Sequence, residues 1–272
     1  MFNGPLMRRT LRDYSGLWTA LALLVFGFAI LFMYAIHATP IGQQGGEFLK
    51  MPFVRRVLTV MLGSDPLVML TPSSLSSFAF THPLIWSLLV VFALTMSSGV
   101  LAGEVDRGTM DLLGSLPMSR AAIYNSLATM TILMGLPLCW LVWLGVWAGK
   151  NIAGAADVRM EVLVRVAWHL CATYTLIASF STAISAGCNR RGIAVAIAFF
   201  LIFYAFVLNM LRAMWPALDR LAWSDFLNYY QTFVIVRDET YRWKDIGVLL
   251  SAAAAWWVAG LIVFTRRDVP AR

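Results

Sequence analysis

The chain has 272 residues, of which 60% are hydrophobic and only 13% are charged, and its mean hydropathy is +0.74. This composition excludes an ordinary soluble domain and is typical of an integral membrane protein. The formal net charge of +7 indicates attraction to a membrane surface rather than to nucleic acid. The cations flank apolar blocks and form no nucleic-acid-binding motif, so we expect a lipid bilayer and no nucleic acid as a partner.

Six apolar blocks have the length of about 20 residues that spans a bilayer. Backbone groups in lipid must find partners within their own segment, so blocks of this length are helices. We therefore predict an all-α integral membrane protein, with one transmembrane domain over residues 1–272. The predicted spans are 17–36, 84–102, 126–149, 163–187, 193–215 and 246–265. The segments between them are predicted to be outer loops 37–83, 150–162 and 216–245, an inner loop 103–125 and a short turn between the fourth and fifth spans.

An even number of spans places both chain ends on one side of the membrane, and short arginine-rich flanks indicate that this side is the cytoplasm. The first apolar block is too long for a cleavable signal peptide, so we expect it to remain as a span. We predict a multi-pass protein of a bacterial plasma or inner membrane. The flanking arginines are Arg8, Arg9, Arg12, Arg190, Arg191, Arg266 and Arg267.

The stretch before the first span places Leu6, Leu11 and Tyr14 on one helical face and arginines largely on the other. This pattern predicts an amphipathic N-terminal helix in the inner interface. An ordinary basic flank without a helix is the alternative. In the first outer loop, residues 47–62 have a similar pattern, which predicts a surface helix on the outer leaflet or over the bundle.

The last outer segment gathers Trp223, Tyr229, Tyr230, Tyr241 and Trp243 among alternating charges. Aromatic rings of this kind concentrate at the membrane interface, which explains them without a ligand. A binding site is the alternative interpretation.

Polar residues within the spans are few. Arg165 and Arg212 lie near predicted outer ends and can extend to the headgroups. His169 lies one turn from Arg165, where a polar contact between helices is favoured over a functional role. The six apolar cores hold no carboxylate, which argues against an ion-driven pump.

The three cysteines cannot form a disulfide framework and are interpreted as small apolar side chains. The fourteen methionines are scattered without a close pair, so no metal site is predicted. The sequence also lacks a His-Glu-x-x-His helix and a Gly-x-Ser-x-Gly turn, which leaves a membrane-embedded enzyme as a weaker alternative.

The inner loop carries the densest set of signals. Glu104 and Asp106 close the second span, Gly108 breaks the path, and Thr109 is placed to cap a short helix that Pro117 ends. That helix would present an apolar face made of Met110, Leu112, Leu113 and Leu116. Such a helix either floats at the interface or fits a groove in a cytoplasmic partner. Ser119 is then predicted to cap the third span, with Arg120 in its first turn.

The inner loop reads Gly-Glu, three residues, Gly-Thr, a Leu-Leu pair and Pro-x-Ser-Arg over residues 103–120. This pattern resembles the membrane subunits of type-2 ABC transporters, which are six-span exporters with a separate ATPase. The resemblance implies that residues 109–116 form the cytoplasmic coupling helix between spans two and three. The residues it assigns to contact with the ATPase are Glu104, Asp106, Gly108, Thr109, Met110, Leu112, Leu113, Leu116, Pro117 and Arg120. Leu127 departs from a lysine common in the family, so anchoring of the third span by that lysine is not expected.

The sequence has no Gly-x-x-x-x-Gly-Lys-Ser/Thr loop, so the chain is expected to bind no cofactor and to have no catalytic residue of its own. The resemblance implies an ABC ATPase that binds ATP and magnesium, a second permease chain, identical or related, and transport outward. A non-transporting member that uses the ATPase for signalling or assembly would share these motifs. Pro137, preceded by Gly135, offers a static or mobile kink in the third span. The substrate stays open.

Overall fold

A computed structural model describes residues 2–38, 71–110 and 117–267, and these residues contain helices and no strand. The α-helices are α1 Gly4–Ala38, α2 Pro72–Ser77, α3 Pro83–Val100, α4 Ala102–Asp106, α5 Arg120–Ala153, α6 Met160–Gly187, α7 Arg191–Met214, α8 Thr232–Asp238 and α9 Trp243–Arg266. Short 3-10 helices cover Phe78–Phe80, Pro216–Ser224 and Phe226–Tyr229.

Six helical segments of the described chain are long and apolar enough to cross a membrane, which confirms the predicted all-α class and the number of spans. They contain α1, α3, α5, α6, α7 and α9. The amphipathic stretch before the first span is helical and continuous with that span in α1. Its placement in the interface stays a prediction. The surface helix predicted over residues 47–62 lies outside the described residues.

Helix α6 lies at the centre of the bundle and contacts α3, α5, α7 and α9. From Cys171 onward it is rich in small side chains, which allow neighbouring helices to approach closely. Buried among them are Cys171, Ala172, Thr173, Ala178, Ser179, Ser181, Thr182, Ala183, Ser185 and Ala186. The centre of the fold is therefore packed by alanine and hydroxyl side chains as much as by large aliphatic ones.

The contact between α1 and α5 depends on two glycines one turn apart. A Cβ atom at Gly145 would lie 2.6 Å from the Cβ of Ala29, and one at Gly149 would lie 2.6 Å from the Cβ of Met33. This is the small-residue spacing that brings membrane helices together by close backbone approach. Helix α5 is thereby fixed to α1 over its last turns.

Helix ends from both halves of the chain meet on one face of the bundle, which we call the terminal face because α1 begins there and α9 ends there. The backbone N–H of Asn3 donates to the hydroxyl of Ser126 at 2.8 Å, and Arg120 of α5 binds the carbonyl of Arg267 after α9. The other end of the bundle, where α5 ends and α6 begins, is the opposite face.

Candidate functional site at the terminal face

The chain changes direction twice as it leaves α3. Leu101, with φ −120° and ψ −76°, separates α3 from α4, and Gly108 follows α4 with φ +71°. A left-handed residue of this kind favours glycine because a Cβ atom would crowd the backbone. The turn returns the chain on itself, and the backbone N–H of Thr109 donates to the carbonyl of Glu104 at 2.9 Å.

The Glu104 carboxylate is the centre of this turn, and only 12% of its side chain is exposed. It accepts hydrogen bonds from the Thr109 hydroxyl at 2.5 Å, from Arg107 at 3.0 Å and from Arg9 at 3.4 Å. Hydrogen bonds to an ionised group are stronger than neutral ones, and together they satisfy a carboxylate that is mostly withdrawn from water. Because Arg9 belongs to α1, Glu104 connects the loop to the first span.

Asp106 makes a second connection, to the start of α7. Its carboxylate lies 3.4 Å from the backbone N–H of Arg191, whose guanidinium donates to the Ser98 hydroxyl at 3.3 Å and to the Thr95 carbonyl at 3.4 Å. Each bond is long, so each is weak alone. Together they hold the start of α7 against α3 and α4.

The start of α5 forms as the sequence predicts. The Ser119 hydroxyl accepts from the backbone N–H of Ala122 at 3.2 Å, and α5 begins at Arg120. Arg120 binds the carbonyl of Arg267, whose own guanidinium donates to the carbonyls of Ala186 at 2.9 Å and Cys188 at 3.1 Å. The ends of α6 and α9 are thus joined to the residue that follows the inner loop.

A cavity of about 280 Å³ lies beneath this turn, between α1 and the end of α3. Its lining includes Arg9, Tyr14, Glu104 and the apolar Leu127. A Cβ atom at Gly99 would lie 1.9 Å from the Tyr14 hydroxyl, so a larger residue at this position would require the tyrosine side chain to shift. The arginines and carboxylates of this cavity are paired with one another.

The structure brings together four residues of the predicted contact set at the entry to the predicted coupling helix. Glu104, Asp106, Gly108 and Thr109 form the turn described above. Met110 is buried and packs in the hydrophobic core of the chain, and its contact with a partner stays a prediction. Pro117 and Arg120 are exposed at the other end of the loop. The remaining three are Leu112, Leu113 and Leu116. They and most of the predicted coupling helix lie outside the described residues.

The predicted contact set does not include three arginines that hold this site, Arg9, Arg107 and Arg191. Arg107 follows Glu104 by three residues on a short helix, a spacing that predicts an ion pair. Arg9 and Arg191 carry no such local signal, because their partners are 95 and 85 residues away in the chain.

A second polar cluster occupies the opposite face. Arg212 was expected to extend to the headgroups, but its guanidinium lies 3.1 Å from the fully buried carboxylate of Asp225 and 3.2 Å from Asn228. Burial raises the pKa of Asp225 above its usual value, while hydrogen bonds from Asn209 and the Leu227 N–H and the charge of Arg212 act in the other direction. Tyr230, expected in an interfacial belt, is instead buried and donates to the Phe80 carbonyl at 2.9 Å.

Comparison with known proteins decides the family. A family profile described as ABC-2 family transporter protein matches residues 7–269, which is nearly the whole chain. The chain belongs to the ABC-2 transporter family. A search of the curated proteins found no match. As an ABC-2 family protein it is a multi-pass membrane permease. Within the described part of the chain, no group of three or more His, Cys, Asp or Glu side chains could hold a metal ion.

Proposed function

We propose that this chain is the membrane-spanning subunit of an ATP-driven exporter and that a separate ABC ATPase binds at its terminal face, through residues 103–120. The observation that carries this proposal is the pairing of Glu104 with Arg9, Arg107 and Thr109. It ties the segment that enters the predicted coupling helix to α1, and Asp106 ties the same segment to α7. A displacement of α4 would therefore move two spans as well as the loop.

The energy source is placed in the partner because the sequence has no loop that could cradle nucleotide phosphates. ATP and magnesium would bind to the ATPase, and its closure on ATP would push the predicted coupling helix as a rigid lever. The spans would then change between inward and outward access. In this arrangement the chain contributes the path and the connection and carries out no chemistry of its own.

The terminal face would be cytoplasmic, since the flanks of the spans on this face are dense in arginine. A complete transporter would contain two permease chains and two ATPase chains, with the substrate path between the permeases. Exposed apolar side chains are abundant on α7, where Phe199, Phe200, Phe203 and Phe206 are all more than half exposed. Lipid or the second permease would cover them.

Co-purification tests the partner. The tagged chain is isolated from its native membrane in mild detergent, and the associated proteins are identified by mass spectrometry. We expect a stoichiometric ABC ATPase that is lost in Leu113→Asp and retained in Leu11→Asp, a matched change at a half-exposed leucine of α1. A wild-type chain that purifies without an ATPase would refute the proposal.

A non-transporting role, in which the ATPase cycle drives signalling or assembly, would use the same connections. Reconstituted vesicles separate the two roles. A transporter should show ATPase activity stimulated by its substrate and accumulation of that substrate across the membrane. An assembly factor should show neither while still binding the ATPase. An enzyme acting on lipids or peptides would turn over its substrate without ATP.

A further inference from the structure

Arginines occur in adjacent pairs at the terminal face, at residues 8–9, 190–191 and 266–267. A further pair, at residues 55–56, lies outside the described residues. Successive residues of a helix point about 100° apart around its axis, because one turn takes about 3.6 residues. The two guanidiniums of a pair at a helix end therefore meet different surroundings, and the same difference recurs in all three pairs of this face.

The second arginine of each pair is bound to the fold. Arg9 lies 3.4 Å from the Glu104 carboxylate. The guanidinium of Arg191 donates to a hydroxyl and a carbonyl of α3, and that of Arg267 donates to two carbonyls at the end of α6. A guanidinium whose donors are used in this way holds helices together, so these three arginines are structural.

The first arginine of each pair points away from the fold. Arg8, Arg190 and Arg266 are exposed, and none of their guanidiniums has a hydrogen bond or an ion pair among the described residues. The carboxylates of this face that the structure describes each contact another arginine and do not neutralise these three. The terminal face therefore presents accessible positive charge to whatever lies against it.

All three pairs are attached to the base of the inner loop. Arg9 and Arg191 contact α4, before the predicted coupling helix, at Glu104 and Asp106. The carbonyl of Arg267 binds the first residue of α5, after that helix. Adjacent Cα atoms are only about 3.8 Å apart, so the exposed arginine of each pair also lies close to this base. A partner seated on the inner loop would meet exposed arginines from three different helix ends.

We propose that Arg8, Arg190 and Arg266 bind carboxylates of the ABC ATPase, whose docking surface has an acidic rim around the cleft for the predicted coupling helix. The inference rests on the proposed function, which seats the ATPase on the inner loop. Charges at the rim of a protein interface guide the encounter and fix the orientation more than they add affinity. The three arginines thus attract the ATPase and align it over the loop.

Association kinetics test this attraction. The chain is placed in nanodiscs of phosphatidylcholine, which has no net charge, and binding of the purified ABC ATPase that co-purifies with it is followed by biolayer interferometry. In a variant that combines Arg8→Gln, Arg190→Gln and Arg266→Gln, we expect the association rate constant to fall about tenfold at about 0.1 M salt. The difference from the wild type should disappear at about 1 M salt, where the screening length is about 3 Å.

Two matched variants separate a local effect from a change in net charge. Arg220→Gln, Arg237→Gln and Lys244→Gln together remove the same charge from exposed cations of the opposite face, and this variant should bind the ATPase at the wild-type rate. Replacing the three exposed arginines of the terminal face by lysine should also keep that rate, because steering depends on charge rather than on the planar guanidinium. The unfolding midpoint of the terminal-face glutamine variant should equal that of the wild type.

Equal association rates for the wild type and the terminal-face glutamine variant would overturn the inference while leaving the ATPase bound as proposed. A rate difference seen only in nanodiscs that contain phosphatidylglycerol would assign the arginines to anionic headgroups and would also overturn it. A wild type that binds no ATPase would refute the proposed function, and the inference with it. If the triple variant fails to fold, each single glutamine variant is measured, and each should slow association about twofold.

Discussion

The Thr109 hydroxyl lies 2.5 Å from the Glu104 carboxylate, across the left-handed turn at Gly108. The same carboxylate receives Arg9 from the first span, so one side chain closes the turn and attaches it to the bundle. A turn held at both ends can transmit a displacement, because its internal geometry is fixed by hydrogen bonds rather than by chain connectivity alone.

Replacing Glu104 by glutamine should uncouple the loop while the chain still inserts. The amide keeps the size of the side chain but loses the charge that binds Arg9 and Arg107, and we expect ATP-dependent transport to fall by about tenfold or more. Asp13→Asn is the control, because Asp13 also pairs with Arg9 but its side chain is 47% exposed. Transport measured in vesicles should be near normal in the control. Equal transport by both variants would show that the Glu104 pairing carries no coupling.

Gly108→Ala should strain the turn without a steric clash from neighbours. No atom lies within 4 Å of the Cβ position, but the backbone φ of +71° costs an alanine about 1 kcal/mol. Gly192→Ala, where the Cβ position is equally open and φ is not positive, is the control. We expect a lower thermal unfolding midpoint and weaker ATPase binding in the first variant alone. Equal unfolding midpoints for Gly108→Ala and Gly192→Ala would show that the turn at Gly108 does not need glycine.

Gly135→Ala should lower the stability of the fold more than Gly108→Ala or Gly192→Ala does. Its Cβ atom would lie 1.9 Å from the Tyr174 ring, within the packed centre of the bundle, and such overpacking costs about 1–3 kcal/mol. Gly27→Ala, with open space at the Cβ position, should have little effect. Thermal denaturation in detergent measures both variants, and equal midpoints would contradict the packing of Tyr174 against α5.

Tyr174→Phe distinguishes the contribution of the Tyr174 ring to stability from that of its hydroxyl. The hydroxyl donates to the Thr131 carbonyl at 3.1 Å, and Trp18 donates to the Met134 carbonyl at 2.7 Å, so side chains from two neighbouring helices bind α5 just before Pro137. We expect a loss of about 1 kcal/mol in the free energy of unfolding. A loss as large as that of Gly135→Ala would mean that the hydrogen bond, rather than the ring's packing, fixes the helix.

The Arg212 and Asp225 pair predicts a pH dependence with a definite sign. Arg212→Gln leaves a fully buried carboxylate without its cation and should cost about 3 kcal/mol near neutral pH. Asp225→Asn should cost less, because Arg212 keeps Asp219 at 3.3 Å and Asn228 at 3.2 Å.

Burial raises the folded-state pKa of Asp225 above its unfolded value, so protonation favours the folded state. That stabilisation is fully present below the unfolded pKa and is lost as the pH rises through the folded pKa. Loss of Arg212 raises this pKa further, and the stability of Arg212→Gln should recover as the pH falls toward 4, whereas that of Asp225→Asn should show no such recovery. Parallel pH profiles for the two variants would contradict this account.

The sequence alone determined the features that depend on local patterns. Apolar blocks of bilayer length fixed six helices, and the cap at Ser119 and the break at Gly108 followed from residue types whose backbone preferences act over a few residues. The inner-loop motif placed Glu104 at the entry to the loop. The ion pair of Arg107 with Glu104 could also have been predicted, because residues three apart on any helix lie side by side.

Only the tertiary structure decided which distant groups meet. Arg9 and Glu104 are 95 residues apart, and no periodicity in either segment encodes their contact. From its position at a helix end, Arg212 is predicted to be an interfacial cation, and only the folded structure shows Asp225 packed beside it. Local preferences are set by neighbours along the chain, whereas the partner of a charge is set by the helices that burial brings together, and that packing is a property of the whole bundle.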